Sequence, residues 1–275
     1  MCPNCRAFVP PNTRVCPYCE MKLGQRAIDR RNPGEILGGL IPHARFTTTL
    51  ILIVNFALYA ATYIYSQNTG INFNGTLYVF GAKVGLHDPA MTYQHEWWRL
   101  VTAGFLHGGL FHILMNSWVL FSLGAEVEEA YGTARMILFY FVSTVTGFLL
   151  SAWWSPGLSI GASAGLMGLI GAMIAYGITE KTAMARAMKS QYIMWAVYIL
   201  VIGMVGSFFR TDNAAHIGGL AGGFVIAYVC STPRARLKWR EPLIKAGAAI
   251  AVVVTIACFA MMVLAIPLSL QRVTQ

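Results

Sequence analysis

Three short stretches of this sequence bring together residue types that do chemistry. The first is Phe105-Leu106-His107-Gly108-Gly109-Leu110-Phe111-His112-Ile113-Leu114-Met115-Asn116. On a helix His112 and Asn116, four apart, share a face, while His107 lies ~140° away from His112 near the helix start. The second is Gly161-Ala162-Ser163-Ala164-Gly165, which follows the turn-forming Ser155-Pro156-Gly157. The third is Ala215-His216-Ile217-Gly218-Gly219, continued by Gly222 and Gly223. A serine hydroxyl becomes a nucleophile when a base takes its proton, and histidine is the usual base. The oxyanion formed by its attack on a carbonyl then needs donors. Asn116 and His112 are of the right type, and backbone N–H groups near Ser163 add to them. Taken singly, each residue is an ordinary packing or hydrogen-bonding group; taken together they describe a Ser–His dyad. No Asp or Glu in the same stretches would orient His216, so the third member of a triad is missing.

A different chemistry is written at the amino-terminal end. Cys2-Pro-Asn-Cys5 and Cys16-Pro-Tyr-Cys19 are two C-x-x-C knuckles ten residues apart. Four thiolates at this spacing close a tetrahedral zinc site with no open position, so the metal is structural. The segment is too short for a core, and zinc would supply most of its folding energy. Two disulfides or rubredoxin-like iron are the alternatives.

The elements that must position the serine and the histidines follow from composition. The chain has 275 residues, 56% hydrophobic and only 11% charged, with mean hydropathy +0.57. Soluble domains carry roughly 25% charged residues, so an ordinary soluble globule and a disordered chain are both excluded. Stretches without Asp, Glu, Lys or Arg run over 47–65, 100–125, 136–179, 191–209, 213–233 and 246–271. A spanning helix needs ~20 apolar residues. The 136–179 stretch is long enough for two, and Ser155-Pro156-Gly157 near its middle reads as the turn of a helical hairpin. Seven spans result. No secretory signal is read, because the first hydrophobic stretch begins near Thr47 without a small-residue cleavage pattern.

With the amino terminus inside, segments 1–46, 124–135, 178–190 and 232–246 hold 16 of the 20 Lys and Arg residues. The net charge of +9 is then chiefly an orientation signal and a match to anionic lipid, not a nucleic-acid surface. The spans of Ser163 and His216 both start at outside loops, so the two side chains lie at similar depth. Gly219 and Gly223 share the stripe of His216, and Gly161, Gly165 and Gly168 face away from Ser163. Small residues of this kind let helices approach closely in a membrane. Cys230 and Cys258 lie within spans as small apolar filler.

At this point the sequence resembles a known family, the rhomboid intramembrane serine proteases. Glu96-Trp97-Trp98-Arg99 is similar to the family's first-loop motif. His107, His112 and Asn116 match its second-helix pattern, Gly161-Ala162-Ser163 its catalytic Gly-x-Ser, and Ala215-His216 with Gly219 and Gly223 its sixth-helix motif. Glu128 and Gly132 resemble the Glu and Gly after the second helix. The resemblance covers about residues 75–230. It implies cleavage of transmembrane protein substrates, with Ser163 as nucleophile, His216 as base and then acid, and Asn116 and His112 serving the oxyanion. It gives His107 and Arg99 structural roles, with Arg99 tying a membrane-embedded first loop over 68–102 that contains Tyr78, Phe80, Trp97 and Trp98. Two positions depart from the pattern: Ala164 stands where the family often has Gly, and Met167 where many members place an aromatic against the catalytic histidine.

The expected fold is an all-α polytopic membrane protein: a rhomboid-like six-helix bundle plus a seventh carboxy-terminal transmembrane helix, preceded by a small cytoplasmic zinc ribbon. The expected divisions are a zinc ribbon over 1–22 (Cys2, Cys5, Cys16, Cys19), a linker over 23–46, the protease core over 47–232, and a basic loop with the seventh span over 233–275. The expected setting is a bacterial plasma membrane with the carboxyl terminus outside. Partners would be membrane-protein substrates, the bilayer and a cytoplasmic protein bound by the ribbon, with no cofactor for catalysis. The competing reading is a silent rhomboid-like protein that binds membrane clients without cutting. A transporter would call for acidic residues or broken helices at mid-membrane, and the sequence has neither.

Overall fold

The computed structural model describes residues 8, 16–19, 45–180, 182–205, 211–232 and 238–274. The chain divides into two units, Met1–His43 and Ala44–Gln275. In the first unit the described residues include a turn over Pro17–Cys19 next to Cys16.

The second unit is helical. Its long helices are α1 (Phe46–Thr69), α5 (Leu110–Tyr131), α6 (Thr133–Trp154), α7 (Ser163–Thr179), α8 (Ala183–Val205), α9 (Asn213–Cys230) and α10 (Glu241–Thr274). Between α1 and α5 lie the short helices α2 (Phe73–Val79), α3 (Pro89–Thr92) and α4 (Arg99–Thr102). Six of the long helices are long and apolar enough to cross a membrane, and α7, with 17 residues, is a shorter apolar helix. The expected hairpin is present: α6 ends at Trp154 and α7 starts at Ser163, with Pro156 in the turn.

The helix ends follow local sequence. Asn72 caps α2 by accepting from the Gly75 N–H at 2.8 Å, and Asp212 caps α9 by accepting from the Ala215 N–H at 3.0 Å. Gly132, at φ +82, separates α5 from α6 with a single residue, a backbone state that suits glycine. At the same corner Glu128 accepts from the Thr47 and Thr48 N–H groups at 2.9 and 3.0 Å. A carboxylate from α5 thereby satisfies the free amides at the start of α1, where the helix dipole favours negative charge.

Helix α7 sits in the middle, against α5, α6, α8 and α9. Small residues make this possible. A methyl on Gly219 would stand 2.1 Å from the Ala164 carbonyl oxygen, and one on Gly223 2.1 Å from that of Gly168, so α7 and α9 meet backbone to backbone. Gly147 of α6 leaves room for Ala164: a methyl there would come within 2.8 Å of the Ala164 Cβ. The alanine in a position where glycine was expected is accommodated by a glycine across the interface.

The outer surface is apolar. Trp118, Val253, Ile256 and Leu264 are each more than 60% exposed on α5 and α10, while Arg99, Lys83 and His107 are fully buried. Water does not tolerate such a surface over several helices, and lipid does. The protein is an integral, multi-pass membrane protein.

Candidate active site

Ser163 is the first residue of α7, and His216 lies in the first turn of α9. The two helices touch beside both residues, at Ala164 and Gly219. The Gly147 backbone is close to both the Ala215 carbonyl and Ala164, so α6 holds the two helix starts at one end of the bundle. His216 is 4% exposed, and its Nδ1 is buried without a hydrogen-bond partner among the described residues. No bond between the Ser163 hydroxyl and the His216 ring is among those the described residues form. Catalytic hydrogen bonds are often long without substrate and tighten when it binds.

The turn before Ser163 is shaped by Gly161. Its φ of +121 disfavours a side chain, and a methyl there would stand 2.7 Å from His112 Nε2 and 3.7 Å from Asn116 Nδ2. Both candidate oxyanion donors thus lie against the backbone two residues from Ser163. The tautomer of His112 follows from its partner. Gly108 N–H donates to His112 Nδ1 at 3.3 Å, which leaves the proton of a neutral ring on Nε2, the nitrogen facing Gly161. Asn116 Nδ2 donates one hydrogen to the His112 carbonyl at 3.2 Å and has a second to offer.

His107 precedes α5, which starts at Leu110, so the ~140° offset from His112 expected on a continuous helix does not apply. It is fully buried, its Nδ1 lies 3.3 Å from the Phe105 carbonyl, and its ring stands edge-on to that of His112 at 5.1 Å. Met167 is buried beneath Ser163 at 1% exposure.

The first loop supports the turn. Arg99 donates from Nε to Glu96 at 2.6 Å and from Nη1 to the carbonyls of Tyr78 and Ala82 at 2.7 and 3.0 Å. Lys83 and Ser159 pair through their backbones in both directions at 3.0 Å. The Lys83 ammonium donates to the carbonyls of Ser155 and Gly157 at 2.8 and 3.1 Å. Trp98 packs inside the loop while Trp97 is 48% exposed.

Asp212 does not stand out among the polar residues of the spans, because it lies one residue before the start of α9. Its carboxylate accepts from the Ser151 hydroxyl of α6 and from the Ala215 N–H. Burial alone would raise its pKa. Hydrogen bonds from Ser151, Ser159 and Ala215, with the positive charge of Lys83 nearby, hold it below the ordinary carboxylate value instead. Lys83 is shifted down by burial, an effect that Asp212 opposes. The recognisable signal was an Asp immediately before an apolar helical run, the N-cap signature.

A profile of the rhomboid domain family matches residues 94–233, which contain Ser163, His216, His112 and Asn116. The chain belongs to the rhomboid family. It is 36% identical over 168 residues to the rhomboid protease GluP of Bacillus subtilis, covering 61% of this chain and 32% of that protein. It is 38% identical over 150 residues to the RHOMBOID-like protein 1 of Arabidopsis thaliana, covering 54% and 38% respectively. With the Rhomboid-like protease 3 of Toxoplasma gondii it shares 32% identity over 182 residues, 66% of each chain. The chain spans about a third to two thirds of the length of these relatives.

Of the four cysteines expected to form a ribbon, Cys2 and Cys5 lie outside the described residues; Cys16 is buried and Cys19 partly so, at either end of one turn.

Proposed function

We propose that the protein is an intramembrane serine endopeptidase that cleaves transmembrane segments of other membrane proteins. The observation that supports this reading is the Gly161 turn, two residues before Ser163, which lies against His112 and Asn116 while α9 starts beside α7 with His216 in its first turn. One relative is named a rhomboid protease and another a rhomboid-like protease, which supports it.

In this mechanism the Ser163 oxygen attacks the scissile carbonyl carbon and His216 takes the hydroxyl proton. The carbonyl oxygen becomes an oxyanion that accepts from His112 Nε2–H, Asn116 Nδ2–H and backbone N–H at the start of α7. Collapse breaks the C–N bond as His216 passes its proton to the leaving amine. Water, deprotonated by His216, then hydrolyses the acyl-enzyme. Asp212 is one helical turn from His216 and holds the start of its helix, so its contribution is to placement of the base.

Purified protein in liposomes with single-span membrane proteins tests the reading. Cleavage products that disappear in Ser163→Ala are expected. Cleavage that persists in Ser163→Ala would reject the mechanism, and a well-folded protein that cuts none of a broad panel favours the client-binding alternative.

We further propose that Cys2, Cys5, Cys16 and Cys19 hold a structural zinc on the cytoplasmic side, in a module that docks a soluble partner. With all four positions filled by thiolates, the metal has no place in the cleavage reaction.

A further inference from the structure

The carboxyl end of α10 reaches the first loop. Arg272 donates from Nη2 to Glu96 Oε1 at 3.1 Å and from Nη1 to the Tyr78 hydroxyl at 3.2 Å. The other oxygen of Glu96 belongs to Arg99, at 2.6 Å, so one carboxylate is shared between two guanidiniums. The Arg99 and Glu96 side chains are 0% and 5% exposed, and Arg272 closes the rim at 19%. Arg99 Nη2 also reaches the Ser269 hydroxyl at 3.4 Å. Beside this cluster α2 and α10 are in contact: a methyl on Gly75 would stand 2.8 Å from Val273 Cγ1.

A continuous set of contacts leads from here to the nucleophile. Arg99 fixes the carbonyls of Tyr78 and Ala82. Lys83, next along, pairs with Ser159 and holds the carbonyls of Ser155 and Gly157. Ser159 is two residues before Gly161, whose N–H donates to the Ala103 carbonyl at 2.9 Å.

We propose that Arg272 is a positioning residue: with Ser269 it clamps α10 onto Glu96 and Arg99, and through the Lys83–Ser159 pairing it holds the turn that presents Ser163. The proposal rests on the serine endopeptidase reading for its effect on rate, though not for the clamp itself. The physical reason is the desolvated carboxylate between two cations. Such a group tolerates few arrangements, because each lost partner leaves a buried polar group unpaired. Without Arg272 the Arg99–Glu96 pair remains, but Glu96 Oε1 and the Tyr78 hydroxyl lose the donor that ties them to α10.

Two readouts on the full chain separate the clamp from the chemistry. First, Gly75→Cys with Val273→Cys is oxidised in membranes, with and without Arg272→Met, and disulfide formation is read as loss of maleimide labelling. Secondly, the rate at which a fluorophosphonate probe labels Ser163 is resolved into probe affinity and maximal rate for the wild type, Arg272→Met and Arg272→Lys. The cross-link is expected to form and to slow about tenfold with Arg272→Met. The maximal labelling rate is expected to fall about tenfold at unchanged probe affinity, since misplacement of a reacting group costs rate steeply. Arg272→Lys, which keeps a cation against Glu96, should recover most of it. Should Arg272→Met not fold, Ser269→Ala carries the same test with an expected slowing of about threefold. Labelling at the wild-type rate in the apolar variant, or no recovery with lysine, overturns the proposal. An unlabelled wild type rejects the endopeptidase reading instead. The cross-link then decides the clamp alone, and its absence or indifference to Arg272→Met rejects it.

Discussion

Gly161 carries two constraints at once, a positive φ and contact with the edge of the His112 ring. Gly161→Ala must therefore both strain the backbone, at about 1–3 kcal/mol, and push His112 away from the turn that precedes Ser163. The expected result is a lowered melting temperature and a fluorophosphonate labelling rate down by at least about tenfold; wild-type labelling in the alanine variant would show that the turn does not set the site. Asn116→Ala removes an amide whose second hydrogen is available for an oxyanion. Cleavage should slow by ~10²–10³, and an unchanged rate would remove Asn116 from that role. These residues were visible in the sequence because polar groups are scarce in spans, so Ser163, His216, His112 and Asn116 stood out against an apolar background. The pairing of Arg272 with Glu96 was not visible: 176 residues separate them, and nothing in a single sequence couples positions so far apart.

At the scale of elements, the start of α9 is held by Asp212, which bonds to Ser151 of α6 as well as to its own helix. Its pKa lies below the ordinary value, so the group stabilises the fold above its unfolded pKa of about 3.9 and loses that effect as pH falls through its folded value. Asp212→Asn should lower the melting temperature at pH 7, and the gap from wild type should narrow below about pH 4. A gap independent of pH would mean that the carboxylate charge is not what matters there. The α7–α9 contact is equally specific: Gly219→Leu places a side chain where the Ala164 carbonyl stands, and loss of both stability and labelling is expected. Sequence periodicity indicated that Gly219 and Gly223 press on another helix, and the structure shows α7 to be that helix. The exit of the chain from the first loop was less legible. The charge-free run through His107 reads as helix, whereas α5 starts only at Leu110, after Gly108 and Gly109.

The unit Ala44–Gln275 is a helical bundle with a lipid-compatible exterior, and the distribution of basic residues predicts its direction in the membrane. With the amino terminus inside, the α6–α7 turn lies outside and the α7–α8 turn inside. Leu158→Cys, at an exposed position of the first turn, should react with an impermeant maleimide on intact cells, and Ala183→Cys only after permeabilisation. The reverse pattern would invert the topology. Metal analysis should find about one zinc per chain, lost in Cys5→Ser; iron, or no metal, would reject the ribbon. The existence of most long helices was readable, because lipid imposes length and composition on each span, although α7 is shorter than a span and α5 starts at Leu110 within a charge-free stretch that begins at Leu100. The packing of α10 onto the first loop was not, since its apolar surface signals only that it lies in the bilayer.

In the proposed mechanism Ser163 is an activated nucleophile with His216 as its base. The measurement that tests it most directly needs no substrate: detergent-purified protein is treated with a fluorophosphonate probe beside Ser163→Ala and His216→Ala. Labelling of the wild type alone is predicted. A folded wild type that takes no probe, or a His216→Ala variant labelled as fast as the wild type, would contradict it.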